Sequence, residues 1–160
     1  MTLAEIPLRL PGRIFSSPMP FGRSDPDGLL LKEYKQENVS VVVVLATMEE
    51  LVGKSGRNLI DDYTEQGIRV IHLPVPDFGL PDRAGLEAAI DSLLNYVNIG
   101  QNAVVHCNAG LGRTGTFLAC LAKRTHGITG EDAINLVRQY IPGAVETPEQ
   151  VQFVKNFDNG

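Results

Sequence analysis

Tryptophan is absent from this chain, and cysteine occurs at only two of 160 positions, Cys107 and Cys120. One pair of cysteines does not make the disulfide scaffold on which small secreted domains depend, so we expect free thiols in a reducing compartment. Long apolar runs are missing near the start as well, because Glu5, Pro7 and Arg9 interrupt the first ten residues. A signal peptide needs an apolar stretch of about 7 to 15 residues, and a membrane-spanning helix needs about 20. The sequence therefore predicts a cytoplasmic protein with no membrane partner.

Positive charge is also scarce in this chain. Fourteen Lys and Arg residues stand against nineteen Asp and Glu residues, which gives a formal net charge of -5. This balance argues against a general attraction to nucleic acid or to anionic membranes, so any positive potential has to be local. The length suits about one average domain, and the chain shows neither an internal repeat nor a linker. We predict one domain over residues 1–160 and a monomer.

Apolar residues alternate between strand-like and helix-like spacing along the chain. The β-branched run from Val39 to Leu45 predicts a strand buried on both faces. Two further strands are predicted at residues 68–73 and 103–106, and a short edge strand at 14–15. Helical periodicity predicts a series of helices, at residues 29–38, 47–51, 58–65, 83–97, 113–125, 130–140 and 147–157. This order predicts an α/β three-layer fold, with a central, mostly parallel twisted sheet of about four to five strands flanked by helices.

The stretch from His106 to Gly115 concentrates reactive and anion-binding residue types. It reads His-Cys-Asn-Ala-Gly-Leu-Gly-Arg-Thr-Gly and joins a predicted strand to a predicted helix. At a helix N-terminus, free backbone N–H groups and the positive end of the helix dipole favour an anion, and glycines let the backbone close around it. Arg113 adds a permanently charged planar group that can hold two phosphate oxygens at once. The stretch therefore predicts a phosphate-binding loop.

Cys107 is the predicted nucleophile of this loop. A cysteine at a helix N-terminus beside a cation favours the thiolate, which is the reactive form of the side chain. Thr114 can donate its hydroxyl to that sulfur, and His106 can order the loop from behind. A thiolate that faces a phosphorus atom is placed for nucleophilic catalysis. Cys120, by contrast, is expected to be a small buried apolar residue.

The same stretch also matches a nucleotide-binding pattern. Gly110, Gly112 and Gly115 spell G-x-G-x-x-G between a strand and a helix, and acidic Glu131 and Asp132 follow at about the expected distance. A dinucleotide-binding unit returns to a second parallel strand, whereas the residues after 130 show only helical spacing. No Gly-Lys-Ser/Thr follows either, so a triphosphate-binding loop is also disfavoured.

The stretch from His106 to Gly115 resembles the signature HCxxGxxR[ST]G of the cysteine-dependent protein tyrosine and dual-specificity phosphatases, and it matches at every fixed position. The resemblance implies phosphomonoester hydrolysis without a cofactor or a metal, with Cys107 as nucleophile and Arg113 as phosphate binder. His106 and Thr114 would complete the catalytic set. The intervening residues would bind the substrate phosphate: Asn108, Ala109, Gly110, Leu111 and Gly112.

A general acid is needed opposite the nucleophile, because an alcohol or phenol leaves phosphorus poorly without a proton. Asp77 follows directly on a predicted strand. The segment from Val75 to Pro81 resembles the acid loop of the same family, often Trp-Pro-Asp-Phe-Gly-x-Pro, with Val75 in place of the tryptophan. On this interpretation Asp77 protonates the leaving oxygen and later accepts a proton from water. Asp82 is the competing acid, although its position also suits the N-cap of the next helix.

Near the C-terminus, the segment from Glu146 to Gln150 resembles the one in which tyrosine phosphatases carry a glutamine that positions the attacking water. The first position here is Glu146, and Gln150 keeps the later amide. Either residue is a candidate for water positioning. A helix cap that serves packing is the alternative, because Thr147 and Gln150 have capping-box spacing.

Among the branches of the family, the chain is most similar to the small atypical dual-specificity phosphatases. This resemblance implies phosphorylated proteins or peptides as partners, with phosphotyrosine and also phosphoserine or phosphothreonine as substrates. The variable loop positions are uncharged, which favours protein phosphates over phosphoinositides. The alternatives are a phosphatase of phosphoinositides or other small phosphomonoesters, a phosphate-binding module without turnover, and a different thiolate enzyme such as a sulfurtransferase or arsenate reductase.

Overall fold

The computed structural model describes residues 3–158, and a five-stranded sheet forms its centre. The strands are β1 (Ala4–Ile6), β2 (Ile14–Ser17), β3 (Val39–Val44), β4 (Arg69–His72) and β5 (Asn102–His106). Their order across the sheet is β1-β2-β5-β3-β4. Strands β2, β5, β3 and β4 run parallel, and β1 pairs antiparallel with β2. The predicted α/β three-layer fold with a mostly parallel sheet is confirmed.

One prediction about the N-terminal strands is wrong. The sequence predicts an edge strand at residues 14–15, but β2 lies inside the sheet between β1 and β5. The edge is formed by β1, in which Glu5 pairs with Phe15. Three residues that include a charge are too few to show strand periodicity, so β1 is defined by its pairing with β2 and not by its local pattern.

Seven helices flank the sheet within the described residues: α1 (Leu29–Gln36), α2 (Met48–Ser55), α3 (Leu59–Glu65), α4 (Arg83–Val97), α5 (Gly112–His126), α6 (Gly130–Tyr140) and α7 (Pro148–Asn156). Thr47 and Glu50 form a capping box at α2, and Thr147 and Gln150 form another at α7. Asp82 caps α4 by accepting a backbone N–H at 2.9 Å. Across residues 3–158, no helix has the length and hydropathy of a membrane span.

The core consists of two layers, one on each face of the sheet. One cluster joins the sheet to α4, α5, α6 and α7, and the other joins it to α1, α2 and α3. Val41 and Val43 belong to the first cluster and Val42 and Val44 to the second, as the alternation of side chains along a strand requires. Helix α5 is buried along residues 112–123, so the loop that precedes it has a fixed support.

A buried lysine joins α5 to the end of α7. Lys123 is 6% exposed, and its Nζ donates hydrogen bonds to the backbone carbonyls of Val154, at 3.0 Å, of Lys155, at 3.3 Å, and of Phe157. The last carbonyls of a helix have no intrahelical partner, so a cation at this end satisfies them and also complements the helix dipole. Lys123 therefore anchors α7 on α5.

The variant Lys123→Met keeps most of the side-chain volume and removes the hydrogen bonds to the end of α7. Hydrogen bonds to a charged group contribute about 1.5 to 3 kcal/mol, so we expect the free energy of unfolding to fall by about 2 kcal/mol. Urea unfolding at neutral pH measures this change. Lys32→Met, at an exposed position of α1, is the control, and an equal loss in both variants would contradict the anchoring role.

Candidate active site

The predicted phosphate loop lies where β5 meets α5. Strand β5 ends at His106 and α5 begins at Gly112, so residues 107–111 form the loop itself. Because β5 is flanked by β2 and β3, the loop occupies the carboxyl end of a central strand, where α/β proteins bind their ligands. Helices α6 and α7 follow α5, and the described chain up to residue 158 contains no return strand after them. The glycine pattern therefore lacks the second strand of a dinucleotide-binding unit.

Two glycines allow the loop to pack closely against its neighbours. Gly110 has a φ of 82°, and a Cβ there would lie 2.8 Å from the carbonyl oxygen of Ser17. A Cβ on Gly115 would lie 2.7 Å from the backbone nitrogen of Val145. The loop therefore packs at Gly110 against the end of β2, and the first turn of α5 packs at Gly115 against the segment before α7.

The predicted substrate-binding positions all fall on this loop or on the first residue of α5. Asn108 and Leu111 are half-buried, Ala109 is exposed, and Gly110 and Gly112 are buried. The carbonyl oxygen of Asn108 accepts a hydrogen bond of 2.9 Å from the segment that follows β2. The loop backbone is thus tied at Asn108 to the segment that follows β2.

Cys107 and Thr114 are in direct contact. The Thr114 hydroxyl donates a hydrogen bond to Cys107 Sγ at 3.1 Å, and both residues are buried. The positive charge of Arg113 also interacts with this sulfur. A hydrogen-bond donor and a cation therefore both face the sulfur. Burial raises the pKa of the Cys120 thiol to about 12, and its place in the core is as predicted.

His106 lies behind the loop and is fully buried. Its Nδ1 is 3.0 Å from the Cys107 carbonyl oxygen, and because that oxygen only accepts, Nδ1 carries the hydrogen. Nε2 then accepts a hydrogen bond from the Tyr63 hydroxyl, 2.7 Å away. Burial lowers the pKa of His106 to about 4, so the ring is neutral at neutral pH. Sequence reasoning missed Tyr63, since nothing in its spacing distinguishes it from an ordinary aromatic of α3.

Arg113 is held by a bidentate ion pair. Its Nη1 donates to Glu50 Oε1 at 2.6 Å, and its Nη2 donates to Glu50 Oε2 at 2.9 Å. Nη1 also donates to the Val75 carbonyl at 2.8 Å. Burial alone would raise the pKa of Glu50, but that pKa is lowered because Arg113 and the backbone N–H of Thr47 donate hydrogen bonds to the carboxylate. Glu50 therefore stays ionised and fixes the guanidinium.

Sequence reasoning also missed Glu50 as a site residue. The available signal is the spacing of Thr47 and Glu50 after a buried strand, which predicts a capping box. That box is present, with the Thr47 N–H donating to Glu50 Oε1 at 3.2 Å. The same carboxylate reaches Arg113, which is 63 positions away in the sequence. Local spacing predicts the cap, but the ion pair depends on how the strands are ordered in the sheet.

In the structure, Asp77 lies beside Arg113, whereas Asp82 caps α4. Asp77 Oδ1 lies 3.2 Å from Arg113 Nη2, and it also accepts the Phe78 N–H at 3.0 Å. The Asp77 side chain is 51% exposed, so it can meet a bound molecule. Asp82 Oδ2 is 2.9 Å from a backbone nitrogen in the first turn of α4. Of the two competing acids, Asp77 is the one beside the phosphate loop.

Both water-positioning candidates reach the phosphate loop at Gly112. A Cβ on Gly112 would lie 2.5 Å from Glu146 Oε1 and 3.0 Å from Gln150 Oε1. Glu146 is exposed, whereas Gln150 is fully buried. Gln150 Oε1 accepts from the backbone N–H groups of Glu146, at 2.9 Å, and Thr147, at 3.2 Å, and its Nε2 donates to the Gly79 carbonyl at 3.2 Å. The amide of Gln150 therefore links α7 to the acid loop.

An uncharged groove of about 180 Å³ lies beside the phosphate loop. Its walls come from Ala4 and from residues 16–18, 109–111 and 140–142, and none of these side chains is charged. The charged groups at the loop are Arg113 and the carboxylates of Glu50, Asp77 and Glu146. The site thus combines one strongly held cation with three carboxylates, and an uncharged groove lies beside it.

A family model described as "Polymorphic toxin system, DSP-PTPase phosphatase" matches residues 21–127, which is more than half of the chain. The chain therefore belongs to the cysteine-dependent protein tyrosine phosphatase superfamily, as a small atypical dual-specificity phosphatase-like member. The phosphate loop and the acid loop both lie inside the matched segment.

Two curated relatives are similar over most of this chain. Cyclin-dependent kinase inhibitor 3 of Rattus norvegicus is 30% identical over 128 residues, which cover 79% of this chain and 60% of that protein. Tyrosine-protein phosphatase CDC14 of Candida albicans is 30% identical over 131 residues, which cover 81% of this chain and 22% of that protein. The chain thus spans well under two thirds of the length of these relatives.

Solved structures share the fold. Tk-PTP in its active form matches with a TM-score of 0.81 at 30% identity, over 96% of this chain and 95% of that one. Kinase associated phosphatase, solved with its catalytic-site cysteine replaced by serine, gives a TM-score of 0.88 at 25% identity, over 97% and 92% of the two chains. These similarities support a phosphatase of the dual-specificity type.

The variant Glu50→Gln keeps an oxygen that can cap α2 but removes the negative charge from Arg113. Breaking a buried ion pair costs about 3 to 5 kcal/mol, and the Glu50 side chain is 16% exposed, so we expect a loss near the lower end, about 3 kcal/mol. Urea unfolding measures it. Glu49→Gln, an exposed neighbour in the same turn of α2, should change the free energy of unfolding little, and a similar loss there would contradict the assignment.

The stability of the fold should fall with acidification because of His106. Its folded-state pKa, about 4, lies below its ordinary value of 6.5, so between these two pH values the unfolded chain binds a proton that the folded chain does not. The contribution is fully present above pH 6.5 and falls by about 3 kcal/mol on approaching pH 4, since one pKa unit corresponds to about 1.4 kcal/mol. Urea unfolding across this range tests the slope, which should be smaller in His106→Asn than in the unsubstituted protein.

Proposed function

We propose that this protein hydrolyses phosphomonoesters on proteins, phosphotyrosine first and phosphoserine or phosphothreonine as well, through a cysteinyl-phosphate intermediate. The observation that carries the proposal is the convergence of three side chains at one loop. Thr114 donates to Cys107 Sγ at 3.1 Å, and Arg113 Nη2 lies 3.2 Å from the Asp77 carboxylate. This arrangement supports attack by Cys107 on phosphorus, binding of the nonbridging oxygens by Arg113 and protonation of the leaving oxygen by Asp77.

The first chemical step transfers the phosphoryl group to Cys107. The loop N–H groups and Arg113 hold the nonbridging phosphate oxygens, and Cys107 Sγ attacks phosphorus. The sulfur–phosphorus bond forms as the bond to the leaving oxygen breaks, and Asp77 gives its proton to that oxygen. His106 supports this step from behind, because its hydrogen bond fixes the Cys107 carbonyl while the neutral ring adds no competing charge.

The second step hydrolyses the cysteinyl phosphate and regenerates the Cys107 thiolate. Asp77 accepts a proton from a water molecule, the water oxygen attacks phosphorus, and the sulfur–phosphorus bond breaks. Thr114 stabilises the departing thiolate through its hydroxyl. Glu146 is the better placed of the two candidates to orient that water, because its exposed carboxylate lies against Gly112 while the Gln150 amide oxygen accepts two backbone N–H groups. Arg113 and the loop amides supply the positive charge, so no metal takes part in this proposal.

Protein phosphates are favoured over phosphoinositides by the charges around the loop. A phosphoinositide headgroup carries several negative charges, which the exposed Glu146 carboxylate at Gly112 opposes. The groove beside the loop is uncharged, which suits the backbone and neutral side chains of a peptide. PTPMT1, solved in complex with PI(5)P, shares the fold at 22% identity with a TM-score of 0.76, over 90% of this chain and 88% of that one. That similarity concerns the fold alone.

Three other predictions from the sequence concern the number of domains, the oligomeric state and the location of the protein. A single domain, a monomer and a cytoplasmic location stay predictions. A module that binds phosphate without turnover is disfavoured, because Cys107, Arg113 and Asp77 are all retained together at the loop.

The test is phosphate release from phenyl phosphate and from phosphotyrosine, phosphothreonine and phosphoinositide substrates, in the presence of a chelator. Cys107→Ser should reduce activity to background, whereas Cys120→Ala, at the other cysteine, should retain it. Asp77→Asn should slow phenyl phosphate hydrolysis about 10²- to 10⁴-fold, the usual contribution of a general acid. Activity that survives Cys107→Ser would overturn the mechanism, and a preference for the phosphoinositide would overturn the substrate class.

A further inference from the structure

The acid loop adopts a turn that its sequence does not favour. The Gly79 N–H donates to the Pro76 carbonyl at 2.8 Å, which closes a four-residue turn around Asp77. Phe78, the third residue of the turn, has a φ of 60°, in the left-handed region where such turns prefer glycine. A non-glycine residue in that region is strained, and it persists only where the surrounding structure holds it.

The side chains of the turn do not hold it by burial. Asp77 is 51% exposed and Phe78 is 61% exposed. Hydrogen bonds with groups outside the loop hold its backbone instead, and one of them runs from the Val75 N–H to the Leu45 carbonyl at 2.9 Å. Arg113 donates to the Val75 carbonyl at 2.8 Å on one side of Asp77, and Gln150 Nε2 donates to the Gly79 carbonyl at 3.2 Å on the other.

The orientation of the Gln150 amide is fixed by its other contacts. Its oxygen accepts the backbone N–H groups of Glu146 and Thr147, so its nitrogen must face Gly79. The side chain is fully buried, and its amide also packs against the phosphate loop, because a Cβ on Gly112 would lie 3.0 Å from its oxygen and 3.2 Å from its nitrogen. One side chain therefore connects α7, the acid loop and the phosphate loop.

We propose that Gln150 is a positioning residue for the general acid: it holds the strained turn so that Asp77 faces the leaving group. This inference rests on the function proposed above, and it differs from the water-positioning role that the family resemblance implies for this glutamine. A residue that orients water acts on the second step, whereas a residue that holds Asp77 acts first on the departure of a poor leaving group. The two roles therefore predict different kinetics.

The main variant is Gln150→Glu, with Gln150→Met as the second. An ionised glutamate keeps an oxygen for the Glu146 and Thr147 N–H groups, which preserves the capping box, but loses the N–H that donates to Gly79. Methionine also lacks that donor and carries no charge. Thr147→Ala is the matched control, because it removes the hydroxyl that caps α7 and leaves the bond between Gln150 and Gly79 in place.

Both Gln150 variants should lose about tenfold or more in kcat/KM for phenyl phosphate, which needs the acid, and little for p-nitrophenyl phosphate, which leaves without it. Their pH profiles should lose the limb that reports the protonated acid, and no phosphocysteine should accumulate with phenyl phosphate, because its first step becomes limiting. Thr147→Ala should show none of these changes. Equal losses in kcat/KM on both substrates, a burst with trapped phosphocysteine on phenyl phosphate, or the same selective loss in Thr147→Ala would overturn the proposal.

A readout without catalysis separates this inference from the proposed function. Amide hydrogen exchange at Phe78 and Gly79 should accelerate in Gln150→Glu and Gln150→Met but not in Thr147→Ala, whether or not the protein turns over a phosphate ester. Unchanged exchange in the Gln150 variants would overturn the positioning role. Failure of the proposed function would instead appear as inactivity of the unsubstituted protein, or as activity that does not depend on Cys107.

Discussion

The bidentate ion pair between Glu50 and Arg113 is the constraint on which the arrangement of the site depends. Arg113 belongs to the first turn of α5 and Glu50 to the first turn of α2, and the Val75 carbonyl that accepts a further bond from Arg113 precedes the acid loop. A surface arginine samples many rotamers, whereas this side chain is 2% exposed. Its burial is tolerated because a carboxylate neutralises it with two matched hydrogen bonds. One guanidinium thus sets the relative positions of three segments.

His106, Gln150 and Lys123 are buried polar side chains that are also paired. His106 uses both ring nitrogens, one toward the Cys107 carbonyl and one toward Tyr63, and burial keeps it neutral. The loop therefore gains a rigid support without a second positive charge behind it. Gln150 and Lys123 likewise satisfy backbone groups at the two ends of α7, so this helix is fixed both to the acid loop and to α5.

Local pattern predicted the features that depend on residues close in sequence. The valine run predicted β3, and the capping residues at Thr47, Asp82 and Thr147 mark true helix starts. Strand β1 was missed because it is too short to show periodicity, and residues 14–15 were placed at an edge because pairing with β1 leaves no local signal. The roles of Tyr63 and Lys123 were also missed, because no local pattern indicates the groups that they contact. Their roles depend on groups that lie 43 and at least 31 positions away.

The sequence by itself determined the loop that carries Cys107 and Arg113, because both residues lie in one ten-residue stretch that joins a strand to a helix. It also predicted Asp77 directly after a strand, whereas β4 ends at His72 and residues 73–76 separate it from Asp77. Only the tertiary structure decided that Glu50 clamps Arg113, that Tyr63 supports His106, and that Gln150 reaches the acid loop. These contacts arise when β3 and β5 become neighbours in the sheet and α7 packs on α5. Sheet order and helix packing are set by burial of the whole core, which no short pattern records.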